Sequence, residues 1–228
     1  MNYIIVANHD RYAKLSRNLS NRLDSNFYFI SNKEDLTYSC LKEINPKYVF
    51  FPHWSYIIPE EIFNNFECII FHMTDVPFGR GGSPLQNLVS RGIYDTKISA
   101  LKCVKELDAG PVYLKRPLNL NGSAEEIYLR AANVIEEMIY DIITTHPSPI
   151  DQIGEVVNFQ RRKPIESNIE ELDNLEKVYD FIRMLDADGY PKAYVNTKHF
   201  TLEFERASFK GDLIHADVKI RKRDGLDE

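Results

Sequence analysis

The sequence predicts an α/β fold: a doubly wound, mostly parallel sheet with a small α+β appendage at the C-terminal end. Three observations lead there. Between residues 3 and 71, short apolar runs alternate with segments whose apolar residues recur at helical spacing. Strands alternating with helices over short joins imply βαβ units stacked into a Rossmann-like sheet. From about residue 151 the pattern changes to one amphipathic helix followed by alternating strands. Finally, 228 residues at 43 % hydrophobic content suffice for one full domain over residues 1–155 and a small C-terminal region over 156–228.

Each element has a local reason. Residues 3–7 read as a first central strand. Asn8, His9 and Asp10 form the turn into a helix over 11–24, with Tyr12, Leu15, Leu19 and Leu23 on one side. Residues 27–30 are a second strand, and 33–44 a helix turning Leu36, Leu41 and Ile44 inward. A third strand over 48–51 is closed by Pro52, and 59–63 is a short helix with proline in its first turn. Residues 68–71 are the fourth, buried strand. A helix is expected over 83–91, then strands over 97–104 and 110–116 with the Asp108 turn between them. Ser123 and Glu126 have capping-box spacing and start a long helix that stops before His146 and Pro147. Residues 160–164 are extended and basic, 174–185 an amphipathic helix and 186–191 a turn. Antiparallel strands are expected over 193–195, 200–204 and 214–220, with fraying over 222–228.

Composition excludes several classes. The net charge of −6 disfavours a broad footprint on nucleic acid, leaving only local basic clusters at 161–163 and 219–223. Cys40, Cys68 and Cys103 are odd in number and contain no CxxC, so no disulfide framework is expected. No apolar run is long enough for a membrane span, the N-terminal residues lack a signal-peptide pattern, and a cytoplasmic location is expected. The spacing of His, Cys, Asp and Glu offers no metal site. The first turn, Ala7 to Asp10, lacks the glycines of a dinucleotide fingerprint.

The chemistry is expected in residues 71–86. His72 stands where the fourth strand should end, followed by a polar turn, Pro77, and Arg80-Gly81-Gly82. A second marker, Leu107-Asp108-Ala109-Gly110-Pro111, comes later. A histidine and a carboxylate at irregular junctions make a proton-handling pair. Each has a plainer reading as well: a strand-end histidine also serves as a cap, and Asp108 with Gly110 also makes a turn. Arg80 either binds substrate or braces the loop by pairing with Asp75.

These residues resemble the formyltransferase family that uses N10-formyltetrahydrofolate. The shared pattern is His72, Pro77, Arg80 and Gly81 with the downstream Asp108-Ala109-Gly110-Pro111, and it covers roughly residues 48–164. The resemblance implies the formyltransferase fold, His72 and Asp108 as catalytic residues, and a folate donor, with the N5-formyl form as an inert analogue. Donor contacts would come from Phe78, Arg80, Gly81, Gly82, Cys103, Val104, Leu107 and Asp108. Substrate contacts would come from His53, Trp54, Thr74, Pro84, Gln86, Asn87, Arg183 and Tyr190. Trp54 is read either as a stacking platform or as core, and Arg183 with Tyr190 either as a nucleotide contact or as a solvated helix end. Ile182-Arg183 and residues 189–193 look like the family's sugar-modifying members, in particular those that formylate a 4-amino-4,6-dideoxy sugar on UDP in pseudaminic acid pathways. The expected partner is then a nucleotide-linked amino sugar, with no nucleic acid and no membrane. The stripe Leu175, Val178, Phe181 and Ile182 serves as core or as a homodimer contact. Formylation of methionyl-tRNA or glycinamide ribonucleotide is the alternative, as is non-catalytic folate or nucleotide binding. One departure stands out: the family's Asn-x-His has Ile70 in place of asparagine. His53, Gln86 and Asn87 are the candidates to supply the missing donor, and one such donor is typically worth about 10²–10³ in rate.

Overall fold

Strand β1 (Asn2–Ala7) shows why the sheet forms where it does: Ile4, Ile5, Val6 and Ala7 are fully buried. A run apolar on both faces suits a central parallel strand covered on each side. The computed structural model describes residues 1–223. After β1 a single 3-10 turn, Asp10–Tyr12, precedes helix α1 (Ala13–Leu23). Strand β2 (Asn26–Ile30) follows. The helix expected over 33–44 is split: a 3-10 turn at Lys33–Asp35, then α2 (Tyr38–Ile44). The split falls at Thr37, whose hydroxyl accepts from the Cys40 N–H and caps α2. Strand β3 (Tyr48–His53) runs through Pro52, and α3 (Glu60–Asn65) and β4 (Cys68–His72) follow.

Sequence reading has a loop next, but Phe78–Gly81 is strand β5. It pairs with β8 (Val157–Phe159) in a two-stranded sheet. Between them come α4 (Pro84–Val89), β6 (Asp95–Lys102), β7 (Val112–Asn119) and α5 (Ala124–Thr145). Ser123 and Glu126 make both bonds of the capping box at the start of α5, at 3.3 and 2.7 Å. The main sheet has the order β2-β1-β3-β4-β6-β7. The first four strands pair in parallel and β6 is antiparallel to β4. Strand β7 extends past the expected residue 116 through Pro117; it lies at the sheet's edge, where a missing N–H is tolerated. The α/β class and the mostly parallel sheet are thus as expected.

The C-terminal elements are α6 (Leu175–Met184), β9 (Ala193–Asn196), β10 (Phe200–Lys210) and β11 (Leu213–Lys222). The three strands form an antiparallel sheet, β11-β10-β9. Lys222, expected to fray, is paired with Phe200 in the ladder, and the Arg223 N–H donates to the His199 carbonyl at 3.1 Å; residues 224–228 of that expectation lie outside the described residues.

The chain divides into two compact units. One comprises Met1–Gly81, Thr96–Leu118 and Leu129–Asn158, and contains nearly all of the main sheet. The other comprises Gly82–Asp95, Asn119–Tyr128 and the chain from Phe159 onward. Where sequence reading places one break, after residue 155, the two units interleave along the chain. No helix among the described residues is long and apolar enough to cross a membrane.

Candidate active site

Strand β4 ends at His72, and its ring is held from both sides. Nε2 lies 2.8 Å from the carbonyl of Gly79. A carbonyl only accepts, so this nitrogen carries the proton. Nδ1 then faces the Asp108 carboxylate at 3.5 Å. Both residues are 8 % exposed. Thr74 also donates to the Gly79 carbonyl, at 3.2 Å, and Ser99 donates to the carbonyl of Thr74 at 2.7 Å. The loop behind the ring is therefore tied to β6.

Asp108 reaches His72 because the chain reverses after β6. In the antiparallel ladder His72 pairs with Ser99 and Ile69 with Lys102, so β6 runs away from His72. Residues 103–110 double back, with Asp108 in the left-handed region at φ +53°. That conformation is uncommon for a side-chain-bearing residue, and Asp is among those that adopt it. The Gly81 N–H donates to Asp108 Oδ2 at 2.9 Å. Gln152 Nε2 donates to the carbonyls of Asp108 and Gly110, both at 2.8 Å, while its Oε1 accepts from Arg80 Nε and Nη2 at 3.0 and 2.8 Å.

The pair opens onto a cleft of about 290 Å³. Phe51, Trp54, Phe63, Ile70, Phe71 and Leu107 contribute to a largely apolar wall. The indole Nε1 of Trp54 is a buried donor with no acceptor among the described residues. An apolar, partly aromatic wall fits a flat heteroaromatic ligand such as a pterin. Burial and then the Asp108 carboxylate push the Cys103 thiol up to about 11. Burial likewise holds Cys68 far above the ordinary thiol range, so neither supplies a thiolate nucleophile at neutral pH.

A solved structure described as methionyl-tRNA formyltransferase from Clostridium thermocellum matches 98 % of this chain and 100 % of its own, at 50 % identity and a TM-score of 0.95. The chain belongs to the formyltransferase family. A curated methionyl-tRNA formyltransferase from Malacoplasma penetrans is 26 % identical over 187 residues, covering 77 % of this formyltransferase and 58 % of the relative. This chain thus spans less than two thirds of that relative's length. The family model for the methionyl-tRNA formyltransferase C-terminal domain matches residues 164–221. A sugar N-formyltransferase from Shewanella sp FDAARGOS_354 shares the fold at 14 % identity and a TM-score of 0.72, over 92 % of this chain and 98 % of its own. Residues 182–193, the basis for expecting a sugar-modifying member, fall inside the segment matched by the methionyl-tRNA formyltransferase model. Among the comparisons, the sugar branch is supported by fold likeness alone.

The remaining expected residues of this formyltransferase fall into two groups. In the first unit, Trp54, Val104 and Leu107 line the cleft with His72, Cys103 and Asp108. The Cys103 N–H is already used by the Cys68 carbonyl at 2.8 Å. Thr74 is fully buried and braces the loop. Arg80 is fastened to Gln152; the Asp75 partner expected for it is held by Lys97 and Lys115 instead. Phe78 opens strand β5 and is not among the cleft-lining residues. His53 is not in the cleft either: its ring packs 4.7 Å from His9 and 5.9 Å from Tyr12. Burial, then His9 and Arg11, push the His53 imidazole down to about 3. As pH falls below about 6.5, the unfolded chain binds a proton at this residue that the folded chain refuses. Stability should drop with falling pH until about 3, by at most about 1.4 kcal/mol per unit. In acid unfolding followed by circular dichroism, His53→Gln should flatten that slope.

In the second unit the expected ligand contacts have structural partners. A Cβ on Gly82 would lie 2.6–2.9 Å from Arg161 atoms, so this glycine permits close packing of two chain segments. Pro84 opens α4. Gln86 donates to Tyr128 and to the Met184 carbonyl; Asn87 donates to the carbonyls of Gly82, Ser83 and Gln160. Both are buried, so neither supplies the missing donor from an exposed position. Arg183, read as a ligand contact or a solvated helix end, is 3 % exposed. It bonds Asp180 at 2.7 Å and the carbonyls of Leu120 and Gly122 at 2.5 and 3.0 Å. Tyr190 accepts from the Tyr128 hydroxyl at 2.7 Å and lines a separate cleft of about 660 Å³. In that cleft Lys192, Lys219 and Arg221 each meet a carboxylate at 3.0–3.1 Å. Gln152 is absent from the sequence reading, as is the aromatic wall of the first cleft apart from Trp54 and Leu107. The wall had a signal in Trp54, Tyr56, Ile57 and Ile58, an apolar run inside a presumed loop; Gln152 had none.

Proposed function

We propose that this chain transfers a formyl group from N10-formyltetrahydrofolate to a primary amine, and that the amine belongs to methionyl-tRNA. The observation that carries the chemistry is the buried His72–Asp108 pair at the wall of an apolar cleft. The Nε2–H bond to Gly79 leaves Nδ1 as the free base of the neutral ring. As the amine adds to the formyl carbon, Nδ1 takes up the proton released, and Asp108 stabilises the cation so formed. The same proton is then at hand for the departing nitrogen. Donor and acceptor are held rather than bonded to the protein, so most of the acceleration is positional. When bound, the folate supplies the one-carbon unit, and the apolar, partly aromatic wall of the cleft would hold its ring system.

The acceptor assignment is supported by the 50 % identical methionyl-tRNA formyltransferase and by the model matching residues 164–221. A nucleotide-linked amino sugar is the second reading. It is favoured by the net charge of −6, which suits a broad nucleic-acid footprint poorly. The deciding experiment presents N10-formyltetrahydrofolate with methionyl-tRNA in one arm and a panel of UDP- and dTDP-amino sugars in the other. Mass spectrometry should find one added formyl group on methionyl-tRNA. Gain only on a sugar replaces the acceptor, and donor binding without gain anywhere replaces the enzyme with a binding protein.

A further inference from the structure

We propose that Gln152 is the positioning residue that keeps Asp108 against His72. The proposal rests on the formyl-transfer reading only for its kinetic consequences; its geometric content is independent of the substrate.

The carboxamide of Gln152 makes four hydrogen bonds, two from each end. Its oxygen accepts both contacts from the Arg80 guanidinium, and its nitrogen donates to the carbonyls of Asp108 and Gly110. Chemistry alone fixes that orientation, because a guanidinium can only donate and a carbonyl can only accept. A carboxylate could serve the first end but not the second, and an ammonium the reverse. Asparagine has the right group on a stem one carbon shorter. The segment carrying Gln152 is itself pinned: Ile150 and Val112 exchange backbone hydrogen bonds at 2.8 and 2.9 Å. This bridge puts residue 152 beside the 108–110 turn although it lies in a stretch without regular structure.

The contacts close a ring around Asp108. Gly81 holds the carboxylate at 2.9 Å. Arg80, its neighbour in β5, holds Gln152, and Gln152 holds the backbone of the same turn. A residue at φ +53° keeps that conformation only when its surroundings demand it. The Asp108 carboxylate lies 3.5 Å from Nδ1, so a small withdrawal weakens its hold on the ring once that nitrogen takes up a proton. Without the two donations from Gln152 the turn relaxes and the carboxylate withdraws from Nδ1.

The test uses the full chain with Gln152→Met, which keeps the length without polar ends, and Gln152→Glu, which keeps only the Arg80 side. The His72 ring resonances, followed against pH by NMR, should move in both variants toward their positions in Asp108→Asn. With an acceptor that turns over, kcat should fall about 10²-fold while KM stays within about threefold. Adding Gln152→Met to Asp108→Asn should cost nothing further, since both act through one carboxylate. Unmoved His72 resonances, or losses that multiply in the double variant, would overturn the proposal. If the parent protein formylates no acceptor, the functional reading falls and the NMR comparison still decides the role of Gln152.

Discussion

His72→Ala should lower turnover by about 10³-fold, and Asp108→Asn by a similar factor, within the range that positioned proton transfer supplies. Binding of the inert N5-formyl analogue should persist in both, because the cleft wall is built mostly from other, apolar side chains. Asp108→Asn is the sharper of the two. Asparagine tolerates the left-handed conformation and still offers an oxygen to the Gly81 N–H. Only the negative charge facing Nδ1 is lost. Single-turnover kinetics with analogue titration on the same samples would separate chemistry from binding, and full turnover in both variants would remove the pair from the mechanism.

Gly110→Ala should be the most damaging single change outside the pair. A Cβ there would sit 1.8 Å from the Lys102 carbonyl oxygen. That oxygen has no room to yield, since the Lys102 N–H is bonded to the Pro111 carbonyl at 2.9 Å and the Gly110 carbonyl is gripped by Gln152. The turn must open, with a loss at or above the top of the usual overpacking range, about 3 kcal/mol. For a chain of this size that lowers Tm by roughly 6–12 °C. Gly92→Ala is the control: its φ is +69° but nothing lies within 4 Å, so only backbone strain of about 1–2 kcal/mol applies. Equal melting temperatures for the two variants would refute the steric account.

The sheet was legible because burial writes itself into consecutive residues: Ile4 to Ala7 and Cys68 to Phe71 can only be interior strands. The helix over 33–44 misled because its apolar spacing continues across Thr37, where a side-chain hydroxyl ends one turn and starts another. Strand β5 was illegible, since Phe-Gly-Arg-Gly has no strand composition and owes its ladder to β8, some eighty residues on. His72 and Asp108 could be found because histidine and aspartate at breaks in regular structure advertise chemistry. Gln152 could not, as its importance lies in what a neutral amide touches. Arg183 is ambiguous for the opposite reason: a full charge invites a ligand, yet its Nε and Nη1 already meet a neighbouring carboxylate and two carbonyls.

The left-handed backbone at residue 108 has a consequence for how this protein would fare under random change. Asparagine fits there as comfortably as aspartate does and keeps an oxygen for the Gly81 N–H. A gene drifting to it would still yield a folded product. Selection for solubility or abundance is blind to that position, and only demand for the product can maintain the acid.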